Sequence, residues 1–360
     1  MCYICGHGEQ RSSRHKESSH GPKDSKSSSS AAAGTANQDR PFKDKHHPLL
    51  IAIWNTDRTQ TDTNEKLKGI RDVLRKGTSA SVQCEILHEQ TGVPIAQVSP
   101  LIIACFEGDL DIIRFLIDNN ADPNQTESEH HLTPIHVLCD AEYHGQSLRV
   151  CQKDRADLIR LLVKNGAQVN HLDRSSMAAI HKAVIHDRPD CVDVLMDAHA
   201  DPNVAFMGDT PLSIAARHNR RKIVQSLLNR KETNVNHRND QGGTALHFAS
   251  AGIVDSPECV ELLLSHGAKV NVQDLKNNTP TMVACFFNKP RILQTLIKAG
   301  ADVALRNNEG KDAYDVATEK EFDECKEIVA RALEKRGIKP GKKDTTDKLA
   351  DDVDKLKLKR

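Results

Sequence analysis

Ser99–Asn124, S-P-L-I-I-A-C-F-E-G-D-L-D-I-I-R-F-L-I-D-N-N-A-D-P-N, is the stretch whose reading decides the fold. Ser99 before Pro100 opens a helix: a hydroxyl at the N-cap accepts an orphan backbone N–H, and a proline at the first helical position gives up a donor with no partner there anyway. Leu101, Ala104 and Cys105 share a face at i, i+3, i+4 spacing, and Gly108 ends that helix and turns the chain back. Ile112, Ile113, Phe115, Leu116 and Ile117 make a second helix whose apolar surface is too wide for a lone two-helix hairpin to bury. The unit demands neighbours.

Those neighbours are visible along the chain. Helix starts recur at His47-Pro48, Thr133-Pro134, Ala178-Ala179, Thr210-Pro211, Thr244-Ala245, Thr279-Pro280 and Lys311-Asp312. Measured at the small-residue slot held by Ala104, Leu138, Ala183, Ala215, Ala249, Ala284 and Ala317, the steps are 34, 45, 32, 34, 35 and 33 residues. The long step carries an insertion, assigned to 140–155, that delays a second helix expected over 156–165.

Ser-Pro-Leu-x-x-Ala and Asn-Ala-Asp-Pro-Asn in the opening stretch resemble the Thr-Pro-Leu-His-x-Ala and Gly-Ala-Asp-Val-Asn of the ankyrin repeat, whose period is about 33 residues. Thr244-Ala245-Leu246-His247-Phe248-Ala249, with Gly267-Ala268-Lys269-Val270-Asn271, is the nearest match to that pattern. The resemblance implies an all-α ankyrin-repeat solenoid of about eight stacked helix-turn-helix units with hairpin loops. Residues 1–46 read as a disordered Ser/His/Lys-rich tail, 47–97 as a divergent first repeat and connector, 98–306 as the main repeats, 307–334 as a capping repeat and 335–360 as a flexible Lys/Asp-rich tail.

The 360 residues carry 50 basic and 50 acidic side chains, so no global field recruits nucleic acid or a membrane. The two tails hold the positive excess: 1–47 has eight Lys/Arg against five Asp/Glu, and 335–360 has ten against five, which leaves the middle at −8. That balance argues against phosphate-backbone binding by the repeats. No apolar run reaches the roughly 18 residues of a membrane span. No secretory h-region follows Met1, and the ten cysteines read as thiols in a reducing, cytoplasmic setting. Cys105, Cys139 and Cys285 follow the small-residue slot while Cys191, Cys259 and Cys325 start second helices, the recurrence expected of small buried hydrophobes.

Chemistry-bearing patterns are few. Cys2-x-x-Cys5-x-His7, with His15 beyond, offers a partial zinc site, the basis of the less favoured reading as an enzyme with an N-terminal metal site, but it lacks a second ligand pair at firm spacing, so neither a metal nor another cofactor is expected. Cys2 and Cys5 beside basic residues also offer acylation sites for a membrane-peripheral pool, as a membrane-tethered organiser would need. His136, His181 and His247 stand in the slot where the ankyrin resemblance implies a hydrogen bond tying neighbouring turns, and no nucleophile or carboxylate motif accompanies them. Asn170, Asn203, Asn236 and Asn271 hold the hairpin position that asparaginyl hydroxylases modify in related repeats; their plain role is to support the turn. Arg217-His218-Asn219-Arg220-Arg221-Lys222 reads as a solvated turn, with an acidic-partner or nuclear-targeting role as the alternative. An enzyme is not expected.

What remains are the slots the ankyrin family leaves for partner contact. After the small residue these hold Phe106/Glu107, Ile185/His186, Arg217/His218 and Phe286/Phe287, and at one hairpin tip Phe206/Met207. With aromatics at 3% of the chain, phenylalanine in slots expected to face water marks candidate anchors for a partner. The reading is a monomeric, non-catalytic scaffold, adaptor or regulatory subunit that holds one or more proteins in its concave groove and along its hairpin tips. A signalling kinase is the first partner class, since no effector domain of its own is visible.

Overall fold

The structure is a computed structural model, and it describes residues 46–57, 60, 62–87, 94–140, 142–143, 146–147 and 152–341. The Cys2/Cys5 group and the tail beyond 341 lie outside the described residues.

The first unit pairs α1 (Pro48–Trp54) with α3 (Lys68–Arg75), with the single turn α2 (Thr63–Lys66) between them. An antiparallel pair follows within the connector, β1 (Cys84–Leu87) against β2 (Pro94–Val98), with Cys84 opposite Val98 and Ile86 opposite Ala96. Next come α4 (Pro100–Glu107) with α5 (Leu110–Asp118), then α6 (Pro134–Cys139), the short pair β3 (Glu142–Tyr143) and β4 (Gln146–Ser147), and α7 (Gln152–Lys164). Regular units continue as α8 (Ala179–Ile185) with α9 (Pro189–Asp197), α10 (Pro211–Arg217) with α11 (Arg221–Leu228), and α12 (Ala245–Ser250) with α13 (Glu258–Ser265). The stack closes with α14 (Pro280–Phe286) and α15 (Pro290–Lys298), then α16 (Ala313–Glu319) and α17 (Asp323–Lys335).

First helices pack on first helices from α4 through α16, and second helices on second helices from α7 through α17, so two helical layers run the length of the stack. The residues between them are the apolar slots of the repeat: Leu101, Ile135, Ile180, Leu212 and Leu246 from first helices, and Ile112, Leu116, Leu195, Val224, Leu263 and Leu296 from second helices, all buried. Hairpin loops enter the N-terminal ends of first helices and inter-helix turns leave their C-terminal ends. The solenoid therefore has a hairpin edge and, at the other end of the first helices, a turn edge.

Most turns share one construction. Gly108, Asp187, Asn219, Asn288 and Glu321 take positive φ of 76°, 54°, 53°, 52° and 58°. This is the left-handed step that Gly, Asn and Asp tolerate best. The next residue then returns an N–H to the small-residue slot: Arg188 to Ala183 O at 2.8 Å, Arg220 to Ala215 O at 2.9 Å, Lys289 to Ala284 O at 2.9 Å and Phe322 to Ala317 O at 3.1 Å. A long side chain at that slot would crowd the returning backbone, which is why the position reads as alanine.

Three boundaries move. The connector of residues 78–97 contains a strand pair rather than a plain loop. Helix α7 begins at Gln152, so the insertion ends before Arg155; that residue is buried in the helix and its guanidinium donates to Leu138 O at 3.1 Å and Asp140 O at 2.6 Å. Arg155 thereby satisfies carbonyls that the C-terminal end of α6 leaves without helical partners. At the far end the packed chain runs past 335, with Ile338 N on Leu333 O at 3.0 Å and Arg336 on Asp302 at 2.6 Å.

Candidate functional site

The histidine slot is structural. Thr133, Ala178 and Thr244 donate their N–H groups to Nδ1 of His136, His181 and His247 at 3.3, 3.1 and 3.1 Å. The opposite nitrogens reach the next repeat, to Met177 O at 3.2 Å, Val204 O at 3.0 Å and Asn278 O at 3.1 Å. With Nδ1 accepting, Nε2 carries the proton and donates, so each ring is neutral. Burial holds all three pKa values down, that of His136 to about 4.

The asparagine ladder also crosses repeats instead of closing its own turn. Asn170 Oδ1 accepts from Asp201 N and Nδ2 donates to His199 O, Asn203 does the same with Asn234 N and Glu232 O, and Asn236 with Lys269 N and Gly267 O. Asn271 accepts from Asp302 N. Asn124 belongs to the same ladder, accepting from Gln168 N at 2.7 Å.

The described cysteines are free and buried. Cys139 shares a thiol hydrogen bond with Cys191 of the next unit, and Cys285 with Cys325; within each pair that bond first, then burial, keeps the first thiol protonated. Burial likewise pushes Cys84 up to about 12 and Cys259 up to about 11. Thiols held so far above neutrality are packing groups, not nucleophiles. Among the described residues no cluster of three or more His, Cys, Asp or Glu is arranged to hold a metal ion, and no helix is long and apolar enough to cross a membrane.

The ten partner-contact candidates divide three ways. Phe106 and Glu107 are buried, which corrects the expectation that this slot faces water in the second unit. His186, Arg217 and Phe206 are half-buried and engaged. His186 pairs with Asp140 at 2.9 Å, and Asp140 also takes Lys182 at 2.9 Å. Burial works against the charge of that carboxyl, yet hydrogen bonds from His186 and Lys182 hold it well below the usual carboxylate range. Arg217 pairs with Asp209 at 2.8 Å and lies over the Phe248 ring at 4.3 Å, while Phe206 packs on the His181 ring at 6.0 Å. Presented to solvent are Ile185, His218, Met207 at 84% exposure, and the pair Phe286 and Phe287 at 44% and 37%. The two rings meet edge to face with centroids 5.1 Å apart, and Lys320 Nζ sits 4.2 Å above Phe286.

These residues do not form one cluster. The pairs at 185/186, 217/218 and 286/287 fall on the turn edge, whereas Phe206 and Met207 belong to the hairpin edge. The turn edge also holds two residues that sequence reasoning missed, Ile253 and Val254, exposed in a turn of seven residues between α12 and α13 where neighbouring turns have three. The available signal was the adjacent aliphatic pair in the otherwise polar run Gly252–Pro257.

Comparison with known proteins agrees with this architecture. The family model for ankyrin repeats matches three times, over residues 101–206, 202–274 and 253–344. The chain belongs to the ankyrin-repeat family. Among curated relatives, human ankyrin repeat and SOCS box protein 16 is 28% identical over 257 residues, covering 68% of this chain and 53% of its own. The mouse B-cell lymphoma 3 protein homolog is 32% identical over 156 residues, covering 42% of this chain and 34% of its own. Alpha-latrocrustotoxin-Lt1a of Latrodectus tredecimguttatus is 27% identical over 190 residues, 52% of this chain and 13% of that protein. The matched segment thus spans about half or less of each of these relatives.

Proposed function

We propose that this ankyrin solenoid is a non-catalytic scaffold or adaptor that holds another protein against the exposed ends of its first helices and its hairpin tips. The observation that carries the reading is the Phe286–Phe287 pair, two aromatic rings turned to solvent in a chain with 3% aromatics. Such rings bring large rigid area at low entropic cost and serve as anchors at interfaces. The partner class in view is a folded signalling protein such as a kinase, because the repeats supply a rigid surface. The net −8 of the middle of the chain favours protein over nucleic acid.

Affinity capture with quantitative mass spectrometry tests the role, using the full chain beside Phe286→Ser/Phe287→Ser. The expected result is a defined set of proteins held by the full chain and depleted about tenfold or more on the variant, with the variant's helical content and melting unchanged. Equal sets on both chains, or none on either, would remove the support for this reading.

A further inference from the structure

The turn between α12 and α13 is longer than its neighbours and yet is held on both sides. Ile253 N donates to Arg217 O of the preceding unit at 3.4 Å, and Ile253 O accepts from Lys289 Nζ of the following one at 3.1 Å. Asp255 then reaches forward: its carboxylate oxygens accept from Arg291 N at 3.0 Å and Ile292 N at 3.1 Å, capping α15, whose own N-cap residue Lys289 makes no side-chain cap. A loop with its backbone tied at both ends displays its side chains in a fixed arrangement.

What it displays is apolar. Ile253 and Val254 are 70% and 56% exposed, and Phe286 and Phe287 of the following unit are exposed on the same turn edge, whose next turn the Lys289 side chain ties to Ile253. Nothing in the folding of the turn calls for them, since its hydrogen bonds are made by backbone atoms and Asp255. A rigid apolar centre of this kind is what a binding anchor needs, because little entropy is lost on docking.

The rim is basic, against the net negative charge of the middle of the chain. Arg221 and Lys222 stand exposed at the start of α11, without an ion-pair partner among the described residues, and Lys289 and Arg291 flank the following turn. On the turn before α11 His218 has its pKa lowered first by partial burial and then by Arg220 and Arg217, both of which are themselves ion-paired. Asp255 is occupied by the α15 amides and Asp187 by Arg220, half-buried Glu258 opens α13, and exposed acids stand at Asp190 and, in the last unit, at Glu319, Glu321, Asp323 and Glu324.

We infer that this turn edge is a docking surface for an acidic peptide segment of a partner, with bulky apolar residues seated on Ile253, Val254, Phe286 and Phe287 and carboxylates directed toward Arg221 and Lys222. The inference rests on the protein-binding reading and adds to it the partner's chemistry and the Ile253–Val254 turn on the same edge as Phe286 and Phe287.

A random-peptide library displayed on phage, panned on the full chain, is the direct test. Enriched peptides are expected to combine net negative charge with aromatic or aliphatic residues. Fluorescence anisotropy should show their affinity falling about tenfold or more with Ile253→Ser/Val254→Ser and with Arg221→Glu/Lys222→Glu, and falling with added salt. Enriched peptides without acidic excess, or binding indifferent to both variants, overturns the proposal. Sedimentation velocity covers the remaining occupant: a dimer of the full chain that dissociates in Ile253→Ser/Val254→Ser makes the patch a self-interface and also overturns it. Proteins captured in a Phe286/Phe287-dependent way, with no acidic peptide selected, would leave the adaptor role standing and remove this surface alone.

Discussion

Phe106–Glu107 and Phe286–Phe287 stand in the same two slots, each just after an Ala-Cys pair at the end of a first helix, yet the first pair is buried and the second is turned to solvent. The local backbone does not separate them: both helices end in a left-handed step, at Gly108 and at Asn288. The units alongside them differ. Beyond Phe106 stands the repeat with twelve residues between α6 and α7, while beyond Phe286 the turn between α16 and α17 has three and brings only Lys320 over the ring. A repeat slot recurs along the chain, and what packs alongside decides whether its side chain meets water.

The largest effect should come from breaking this contrast directly. Phe106→Ala empties a buried site and is expected to cost about 3–5 kcal/mol in chemical denaturation, whereas Phe286→Ala should cost about 1 kcal/mol or less. Equal losses would show that the two pairs share one role. A second effect tests the neutral histidine ties of the core. His136 has a pKa lowered to about 4 by burial, against an ordinary 6.5 that applies once the chain unfolds. Between those values the unfolded chain takes up the proton and the folded one does not, so stability is whole above pH 6.5 and declines as pH falls toward 4. The loss amounts to roughly 3 kcal/mol for this residue. Denaturation midpoints measured across that window should fall with pH, and the slope should shrink in His136→Gln. The smallest effect concerns the exposed edge. Asp255→Ala removes a cap supplied by one repeat to the next and should cost about 1 kcal/mol, read as faster amide exchange at the start of α15 with the second unit unaffected.

Much of the stack was legible because its cause is local. A hydroxyl before proline, a small residue where a turn folds back, and a histidine that bonds its own cap and the next hairpin are short-range requirements, and the chain states them each time in the same order. Arg155 was not legible, because its place depends on where α7 starts, and that follows from which carbonyls of α6 lack partners. Ile253 and Val254 were hidden for another reason: the step from Ala249 to Ala284 is 35 residues, close to its neighbours, so the spacing did not disclose a turn lengthened by four.

From Ser99–Asn124 alone follow the repeat, its helix starts, its turn and its need for neighbours, since these arise from hydrogen bonding and apolar spacing within about thirty residues of chain. Tertiary structure alone decided that Phe106 belongs to the core while Phe286, Phe287, Ile253 and Val254 share an open, basic-rimmed edge. Exposure is a property of what packs alongside, and residues more than thirty positions apart become neighbours only when the repeats are stacked.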